Sequence, residues 1–320
     1  MARISDPAIL VPHARNGDRR SLARLITIVE NGDYAAAGIL EQVFSSGGTA
    51  WTTGFTGAPG AGKSTLTDQL IARIRRGGDE VAVVAVDPSS PFTGGAVLGD
   101  RVRMQGHVDD PGVYIRSMAS RGHLGGIAAA TPRVVALLDG IGFPEVMIET
   151  VGVGQDEVEV AGSADTTVVV VNPGWGDSVQ AAKAGLLEIG DVFVVNKSDR
   201  PGVAETIRDL TQMLELGGVQ EWQPPIVPTV ATTGKGIQEM WEAIAEHRIY
   251  LQDSGRLTTV RRERLVAEMD AALLAALQAR VRSPRLEQGW SEMVDRVRQR
   301  NIDPWSAAAQ LLEALGVPSE

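Results

Sequence analysis

The sequence of 320 residues contains no cysteine. This absence excludes disulfide bonds, thiolate nucleophiles and metal sites built on cysteine ligands, and it fits a reducing compartment. Histidine is also scarce, and the four histidines are scattered along the chain rather than spaced as a metal cluster. Each is better interpreted as a structural or solvent-exposed side chain. They are His13, His107, His123 and His247.

Long apolar runs and an excess of positive charge are missing as well. The longest apolar runs, 81–86 and 168–171, have the length of strands, whereas a helix that spans a bilayer needs roughly 20 residues. Residues 1–20 lack the continuous apolar stretch of a signal peptide. The formal net charge of −10 makes nucleic acid a poor main partner. We therefore expect a cytoplasmic protein that binds neither membranes nor nucleic acid.

The middle of the chain alternates short runs of β-branched residues, most of them near-continuous Val and Ile, with helical stretches. Such runs, without an in-out alternation, are typical of strands that are covered on both faces. Strands separated by helices indicate βαβ units and a mainly parallel sheet, with a ligand at the carboxyl ends of the strands. We therefore predict an α/β fold with a mainly parallel central sheet flanked by helices. The predicted strands are 51–56, 81–86, 113–115, 146–148, 167–171, 192–195 and 226–230.

Both ends of the chain show helical periodicity. We predict an N-terminal helical extension (1–50), a central domain (51–252) and a C-terminal helical arm (253–320). On the arm, apolar residues recur every four positions. They are Leu265, Met269, Leu273 and Leu277. The pattern leaves open whether these helices pack on the sheet or pair with a second subunit.

Residues 57–64 read Gly-Ala-Pro-Gly-Ala-Gly-Lys-Ser and match the phosphate-binding P-loop, with a predicted strand before and a predicted helix after. Glycines let backbone N–H groups approach phosphate oxygens closely. The helix that begins near Lys63 directs its positive end at the same anion. Lys63 offers a catalytic cation to the β- and γ-phosphates, Ser64 a hydroxyl to Mg²⁺, and Thr65 a contact to the α-phosphate. The predicted phosphate-binding set is Gly57, Ala58, Pro59, Gly60, Ala61, Gly62, Lys63, Ser64 and Thr65.

Three carboxylates near predicted strand ends are candidates to support Mg²⁺, which prefers oxygen ligands. Asp87 follows the strand 81–86, and Asp100 closes a loop rich in Ser, Thr and Gly. Glu149 opens Glu149-Thr150-Val151-Gly152, which resembles the Asp-x-x-Gly motif of G proteins with Glu in place of Asp. The alternative for each carboxylate is a helix cap or a solvated loop charge. The predicted metal set is Ser64, Asp87, Asp100 and Glu149.

A base-recognition motif, Asn196-Lys197-Ser198-Asp199, follows the strand 192–195. The carboxylate of Asp199 can accept from N1–H and the exocyclic amine of guanine, a pair of donors that adenine lacks. After the last strand, a backbone N–H of Val230, Ala231 or Thr232 suits the guanine O6 atom. The sequence therefore predicts GTP or GDP as the ligand.

Six combined motifs resemble those of the methylmalonyl-CoA mutase-associated GTPases. They are GAPGAGKST, VAVDPSSPFTGGAVLGDRVRM, YIRSMASRGHLGG, IETVGVGQ, VNPGWGDSVQAAKAGLLEIGD and NKSD. These GTPases are the MeaB/ArgK family of the SIMIBI class of P-loop GTPases. The resemblance covers nearly the whole chain. It implies a homodimer formed through the C-terminal helices. It also implies a GTPase that assists adenosylcobalamin loading and protects an acyl-CoA mutase.

Two alternatives stay open at this point. The older label of the family is a protein kinase linked to amino-acid (LAO/AO) transport, but the sequence offers no motif dedicated to activating a protein acceptor. A metallochaperone GTPase of the same class, of the kind that delivers nickel, needs a Cys/His cluster. The sequence has no cysteine to form one.

The reaction that we expect is attack of water on the γ-phosphate, with catalysis by positioning and charge neutralisation. Gln155, three residues after Gly152, is the candidate for orienting the water, although its spacing differs from that of the usual water-positioning glutamine. We therefore predict slow intrinsic hydrolysis that a partner accelerates.

The loop after the predicted strand 167–171 is expected to transmit the nucleotide state to a partner. The segment Asn-Pro-Gly-Trp-Gly-Asp at 172–177 follows a predicted strand, and the resemblance implies that it is an additional switch. Trp175 lies between two glycines and suggests a contact surface, with packing on its own domain as the alternative. The predicted switch and partner residues are Gly152, Trp175, Asp177, Gln180 and Lys183.

Overall fold

Seven parallel strands form one sheet in the part of the chain that the structure describes, in the order β3-β2-β4-β1-β5-β6-β7. The strands are β1 Trp51–Thr56, β2 Val81–Pro88, β3 Val113–Ser120, β4 Glu145–Thr150, β5 Thr166–Val171, β6 Val192–Val195 and β7 Ile226–Pro228. Every registered pair of strands is parallel. The predicted α/β fold with a mainly parallel central sheet is thereby confirmed.

This computed structural model describes residues 6–32, 35–88, 105–107, 109–120, 126–150, 162–174, 185, 187–216, 218, 221–281, 287–314 and 316. The chain divides into two compact units, residues 1–261 and 262–320. The helices of the first unit are α1 Pro7–Arg15, α2 Arg19–Asn31, α3 Ala35–Phe44, α4 Lys63–Gly77, α5 Gly126–Ile141, α6 Val203–Leu216 and α7 Ile237–Asp253. Helix α8, Arg256–Val281, begins in the first unit and continues into the second.

The sheet is covered on both faces, which explains the unbroken Val and Ile runs. On one face, residues of α2, α3 and α5 share a core with Val84 and Val146. On the other face, residues of α4 and α7 share a core with Val168 and Val194. Helices α1–α3 therefore belong to the same compact unit as the sheet, and the division at 50 and 252 stays a prediction.

Two strands differ in length from their predictions. β3 extends past the predicted 113–115 to Ser120, because its second half, Ser-Met-Ala-Ser, continues the parallel register with β2 up to Pro88 although it contains no Val or Ile. β7 ends at Pro228, whereas the prediction continued to 230. After Thr229, whose N–H still donates to Val195, Val230 forms an isolated bridge with Lys235 instead.

The strand order places the predicted motifs at one edge. β1 lies in the centre of the sheet, and the chain moves from it to both sides, so that a crevice opens at the carboxyl end of β1. Gly57 follows β1, Glu149 is the next-to-last residue of β4, and Asn196 follows β6. All three therefore lie along the carboxyl edge of the sheet.

The second unit contains the rest of α8, followed by α9 Glu287–Arg298 and α10 Pro304–Ala314. Asp303 caps α10, since its carboxylate accepts from the N–H groups of Trp305 and Ser306. The apolar stripe predicted on α8 leaves Leu265, Met269 and Leu273 with 46%, 64% and 58% of their surfaces exposed in the single chain. Among the described residues, no helix combines the length and apolarity needed to cross a membrane.

Candidate nucleotide-binding site

The P-loop joins β1 to α4, and two of its glycines have no room for a side chain. Gly57 and Gly62 have φ angles of +129° and +99°, in the region that favours glycine. A Cβ atom at Gly57 would lie 2.1 Å from the carbonyl oxygen of Val170, and one at Gly62 would lie 2.2 Å from Nδ2 of Asn196. The loop therefore packs directly against β5 and against the predicted base motif.

Lys63 is the first residue of α4 and is almost fully buried. Its ammonium group donates to the carbonyl oxygens of Gly57 at 2.6 Å and Ala58 at 3.1 Å. These bonds hold the cation over the P-loop. The first N–H groups of a helix lack acceptors within the helix, so that the loop, the helix start and the ammonium together favour an anion.

Ser64 and Glu149 meet at the end of β4. The Ser64 hydroxyl donates to Oε1 of Glu149 at 2.5 Å, and both side chains are buried. A hydroxyl and a carboxylate oxygen are ligands that Mg²⁺ accepts. The oxygen chemistry of this pair, beside a loop that favours phosphate, fits a magnesium site.

The structure describes less of the other two predicted metal ligands, Asp87 and Asp100. Asp87 lies near the end of β2, in register with Ala119 of β3 and one residue beyond the pairing of Val86 with Thr150 of β4. Its backbone therefore reaches the same edge as Glu149, while its side chain lies outside the described part. Asp100 also lies outside the described residues.

Asn196 connects the base motif to two other loops. Its Nδ2 atom donates to the carbonyl oxygen of Ala61 at 2.8 Å. Its Oδ1 atom accepts from the Ala231 N–H at 3.1 Å and from the Thr229 hydroxyl at 3.2 Å. The amide is buried. The side chain therefore fixes the P-loop against the loop after β7, a bracing role that the sequence motif did not reveal.

Lys197 makes a second connection to the P-loop. It has a left-handed backbone with φ of +59°, and its ammonium donates to the carbonyl oxygen of Gly60 at 2.7 Å. The next residue, Ser198, donates its N–H to the carbonyl oxygen of Thr229 at 2.9 Å. These contacts fix the turn that carries the exposed Asp199.

The hydrogen bonds of the loop after β7 indicate which of the three predicted N–H groups is available to bind the base. The Val230 N–H donates to the carbonyl oxygen of Lys235, and the Ala231 N–H donates to Asn196. Within the described residues, Thr232 is the member of the predicted trio whose N–H is not used in such a bond. Its position two residues after Val230 places it in the same loop that Asn196 and Ser198 contact.

The predicted water-positioning, switch and partner residues all lie outside the described part of the chain. They are Gly152, Gln155, Trp175, Asp177, Gln180 and Lys183. The start of the predicted additional switch is described as far as Gly174, whose N–H donates to the hydroxyl of Thr206 on α6 at 3.3 Å. Helix α6 follows the base motif, and this bond therefore links the two segments.

A family model matches residues 22–285, well over half of the chain. The description of this model is methylmalonyl-CoA mutase-associated GTPase MeaB. The chain belongs to the MeaB family. As a GTPase, it binds guanine nucleotide and hydrolyses the γ-phosphate of GTP, in agreement with the P-loop and the base motif described above.

Individual relatives agree with this assignment. A Pyrococcus abyssi protein named "Putative GTPase" is 48% identical over 310 residues, which is 96% of each chain. GTPase ArgK of Escherichia coli is 37% identical over 261 residues, or 79% of each chain. A solved structure described as an LAO/AO transport system kinase superposes with a TM-score of 0.71 at 26% identity and covers 99% of both chains.

Proposed function

We propose that this MeaB-family chain is a Mg²⁺-dependent, slowly hydrolysing cytoplasmic GTPase. We further propose that it assists adenosylcobalamin loading and protection of an acyl-CoA mutase. The observation that carries the nucleotide part is the set of bonds that Asn196 makes to Ala61 and Ala231. These bonds join the phosphate-binding loop to the base-binding loops, so that one nucleotide contacts all of them.

The proposed chemistry is attack of water on the γ-phosphate. Lys63 balances negative charge on the β- and γ-phosphates, and the backbone N–H groups of the P-loop hold the phosphate oxygens in line. Ser64 and Glu149 are the described residues that would hold Mg²⁺, with Asp87 and Asp100 as further candidates. When bound, the ion adds to the neutralisation of charge on the phosphates. In the proposed complex the Asp199 carboxylate accepts from the N1–H and the exocyclic amine of guanine, and the Thr232 N–H donates to O6.

The proposed client follows from the family to which the chain belongs. The family description names an association with methylmalonyl-CoA mutase. The predicted homodimer is supported by the apolar stripe on α8, because the exposure of Leu265, Met269 and Leu273 leaves a face that a second copy can cover. A partner-supplied charge is the expected accelerator, as it is in other slow GTPases.

The test measures phosphate release from GTP by the purified protein, alone and with an adenosylcobalamin-dependent acyl-CoA mutase. We expect slow release alone and faster release with the mutase, together with slower inactivation of the mutase during turnover. Lys63→Ala removes the phosphate-binding cation and serves as the inactive control. A rate near 10 s⁻¹ without a partner would contradict slow intrinsic hydrolysis, and a mutase with no effect in either direction would contradict the client proposal.

A protein kinase is the second candidate, because a solved structure similar over 99% of this chain is described as an LAO/AO transport system kinase. The same assay with GTP labelled at the γ-phosphate distinguishes the two. Label that appears as free phosphate supports the hydrolase, and label that appears on an amino-acid-binding protein supports the kinase.

A further inference from the structure

A second pocket lies at the opposite edge of the sheet from the P-loop, at the amino ends of β5 and β6. It has a volume of about 490 Å³ and lies within the first compact unit. We name it the basal pocket. Its lining includes Asp191, Trp222, His247, Tyr250 and Arg256. None of these residues takes part in the nucleotide site, so the basal pocket needs its own explanation.

Asp191 is the charged group at the base of this pocket. Its Oδ2 atom accepts from the Thr167 N–H at 2.7 Å, and Oδ1 lies 3.4 Å from Nε2 of His247. The side chain keeps 32% of its surface exposed, in a position that lines the pocket. One part of the carboxylate is therefore fixed by the protein, and another part is open to a ligand.

His247 faces this carboxylate as a neutral imidazole. The Thr166 hydroxyl accepts from Nε1 of Trp51 at 3.2 Å and lies 3.0 Å from Nδ1 of His247. A hydroxyl oxygen has one proton and two lone pairs, so it can donate to Nδ1 or accept from it, and Nε2 lies beside Asp191 in either tautomer. Burial lowers the pKa of His247 to about 4. At neutral pH the imidazole therefore supplies a dipole to Asp191 but no balancing positive charge.

An aromatic wall stands beside Asp191. The ring of Trp222 is stacked on that of Tyr250 with centroids 5.2 Å apart and lies 4.9 Å from His247. Its Nε1 atom donates to the backbone carbonyl of Asp191 at 2.8 Å. This bond fixes the indole next to the carboxylate. Aromatic side chains in this arrangement favour an apolar or cationic group.

The charges around the pocket disfavour an anion. Glu188 and Glu221 also line it, and the one arginine in the lining, Arg256, pairs with Glu221 at 2.8 Å. Asp165, the remaining acidic residue of the lining, is fully buried and pairs with Arg261 at 2.7 Å. Glu188 and Asp191 are thus the carboxylates of the lining without an arginine or lysine partner among the described residues, and of these two Asp191 is the one that bonds to Thr167 and Trp222 hold in place.

We propose that the basal pocket binds a small organic cation, an amine or guanidinium on an apolar stem, with Asp191 as its counter-ion. The Trp222 and Tyr250 rings contact the stem. A carboxylate that is partly removed from bulk water, with no balancing cation among the described residues, carries a desolvation cost, which a bound ammonium or guanidinium group offsets. A neutral ligand of the same shape leaves that cost in place, and an anion adds repulsion.

The ionisation of Asp191 sets the conditions for the test. Burial raises the pKa of this carboxyl group to about 7. The groups that face it are Glu188, Glu221, Arg256, Tyr250, Asp165 and the neutral His247. Binding is therefore measured at pH 8, where Asp191 is ionised and an alkylamine is still protonated.

The experiment compares three probes with the same ring and different charges. Benzylamine, benzyl alcohol and benzoate are titrated into the full-length protein while the indole N–H signals of ¹⁵N-labelled tryptophan are recorded. We expect the Trp222 signal, assigned with Trp222→Phe, to shift and saturate with benzylamine alone. Equal shifts with benzoate or benzyl alcohol, or no saturable shift with benzylamine, would overturn the proposal.

Variants of the protein test the role of the carboxylate. Asp191→Asn keeps an oxygen for the Thr167 N–H and should weaken benzylamine binding at least about 10-fold. The matched control, Glu246→Gln, removes the same charge from an exposed position on α7 outside the lining and should change binding less than about 2-fold. Unchanged binding to Asp191→Asn contradicts the proposal.

A second variant and a second readout guard against misfolding. Val260→Phe places a larger side chain in the lining and should also abolish the benzylamine shift. GDP affinity should stay at the wild-type value in both variants, because the basal pocket shares no residue with the P-loop. If Asp191→Asn alters instead the monomer–dimer distribution in light scattering, a side chain of a second copy occupies the pocket and the small-cation proposal fails.

Discussion

The Nδ2 atom of Asn196 donates a hydrogen bond of 2.8 Å to the carbonyl oxygen of Ala61, a residue 135 positions earlier in the chain. The same side chain accepts from Ala231, in a third loop. The phosphate-binding and base-binding loops are thus held at a fixed distance by a single buried amide. Nucleotide affinity should therefore depend on Asn196 through the geometry of the loops as well as through contact with the base.

Replacement of Asn196 by alanine should lower both stability and nucleotide affinity. The change leaves the Ala61 carbonyl and the Ala231 N–H without this partner, and each buried polar group left unsatisfied costs roughly 1–3 kcal/mol. We expect a loss of about 2–4 kcal/mol in the free energy of unfolding. We also expect GDP binding to weaken by about 10-fold or more. Urea unfolding and calorimetric titration with GDP measure the two effects.

Asp199→Asn is the matched control for this prediction, because Asp199 is exposed and belongs to the same motif. It should weaken GDP binding, since the second carboxylate oxygen that accepts from guanine is replaced by a donor. The free energy of unfolding should change by less than about 0.5 kcal/mol. Equal stability of Asn196→Ala and the wild type would show that the amide does not brace the loops.

Replacement of Ser64 by alanine should separate magnesium binding from phosphate binding. The variant loses the hydroxyl that contacts Glu149 at 2.5 Å but keeps Lys63 and the P-loop backbone. The Mg²⁺ concentration for half-maximal GTP hydrolysis should rise at least about 10-fold. Thr67→Val is the control, because the buried Thr67 hydroxyl lies on the same helix and makes no hydrogen bond to the described residues. A normal magnesium requirement in Ser64→Ala would remove this hydroxyl from the metal site.

Glu145, at the amino end of β4, should make stability depend on pH. Burial raises the pKa of its carboxyl group from 4.5 to about 7, although Arg248 lies 3.0 Å away and opposes this shift. Because the pKa is higher in the folded state than in the unfolded state, the folded state binds the proton more tightly. The associated stability is fully present below pH 4.5 and is lost as the pH rises from 4.5 to 7.

The variant Glu145→Gln removes this titration. Relative to that of the wild type, its free energy of unfolding should increase by about 2–3 kcal/mol between pH 4.5 and pH 8, so that the variant gains relative stability as the pH rises. Urea unfolding at several pH values measures the difference. Glu239→Gln, an exposed position on α7, should follow the wild type throughout. Parallel curves for Glu145→Gln and the wild type would mean that Glu145 titrates alike in both states.

The sequence was informative where local pattern decides the structure. Six of the seven strands follow from runs with Val and Ile and β1 from its β-branched threonines, and the P-loop and base motif are contiguous segments with a fixed spacing. Glu149 was found because a carboxylate at a strand end is recognisable from its neighbours. The order of the strands in the sheet could not be predicted from the sequence, because the pairing of β1 with β4 and β5 depends on contacts between distant segments.

The hydrogen bonds of the nucleotide site also join residues that are distant in sequence, so the sequence did not predict them. Asn196 was assigned to the base from its motif, but its contact with Ala61 spans 135 residues and leaves no local trace. Thr229 and Thr206 had no signal beyond lying beside a predicted motif. The basal pocket was missed for the same reason. Asp191, Trp222 and His247 are separated in sequence and form no recognisable spacing.

The proposed dimer makes a prediction for the apolar stripe on α8. Leu265, Met269 and Leu273 are spaced by four residues, so they share one face of the helix. Met269→Glu places a charge in the middle of that face and should weaken self-association at least about 10-fold. Light scattering after gel filtration at several protein concentrations measures the change. Leu216→Glu is the control, because Leu216 is 86% exposed on another helix. Similar masses for the two variants would contradict a dimer surface on α8.

The same variant tells whether the second copy contributes to nucleotide binding. The described P-loop and base contacts all lie within residues 1–261, whereas Met269 lies in the second compact unit. A monomeric Met269→Glu variant should therefore bind GDP with the affinity of the wild type, as measured by calorimetry. If GDP affinity falls together with self-association, a residue of the second copy completes the nucleotide site. In that case the second copy, rather than the mutase, is the first candidate to supply the charged side chain that accelerates GTP hydrolysis.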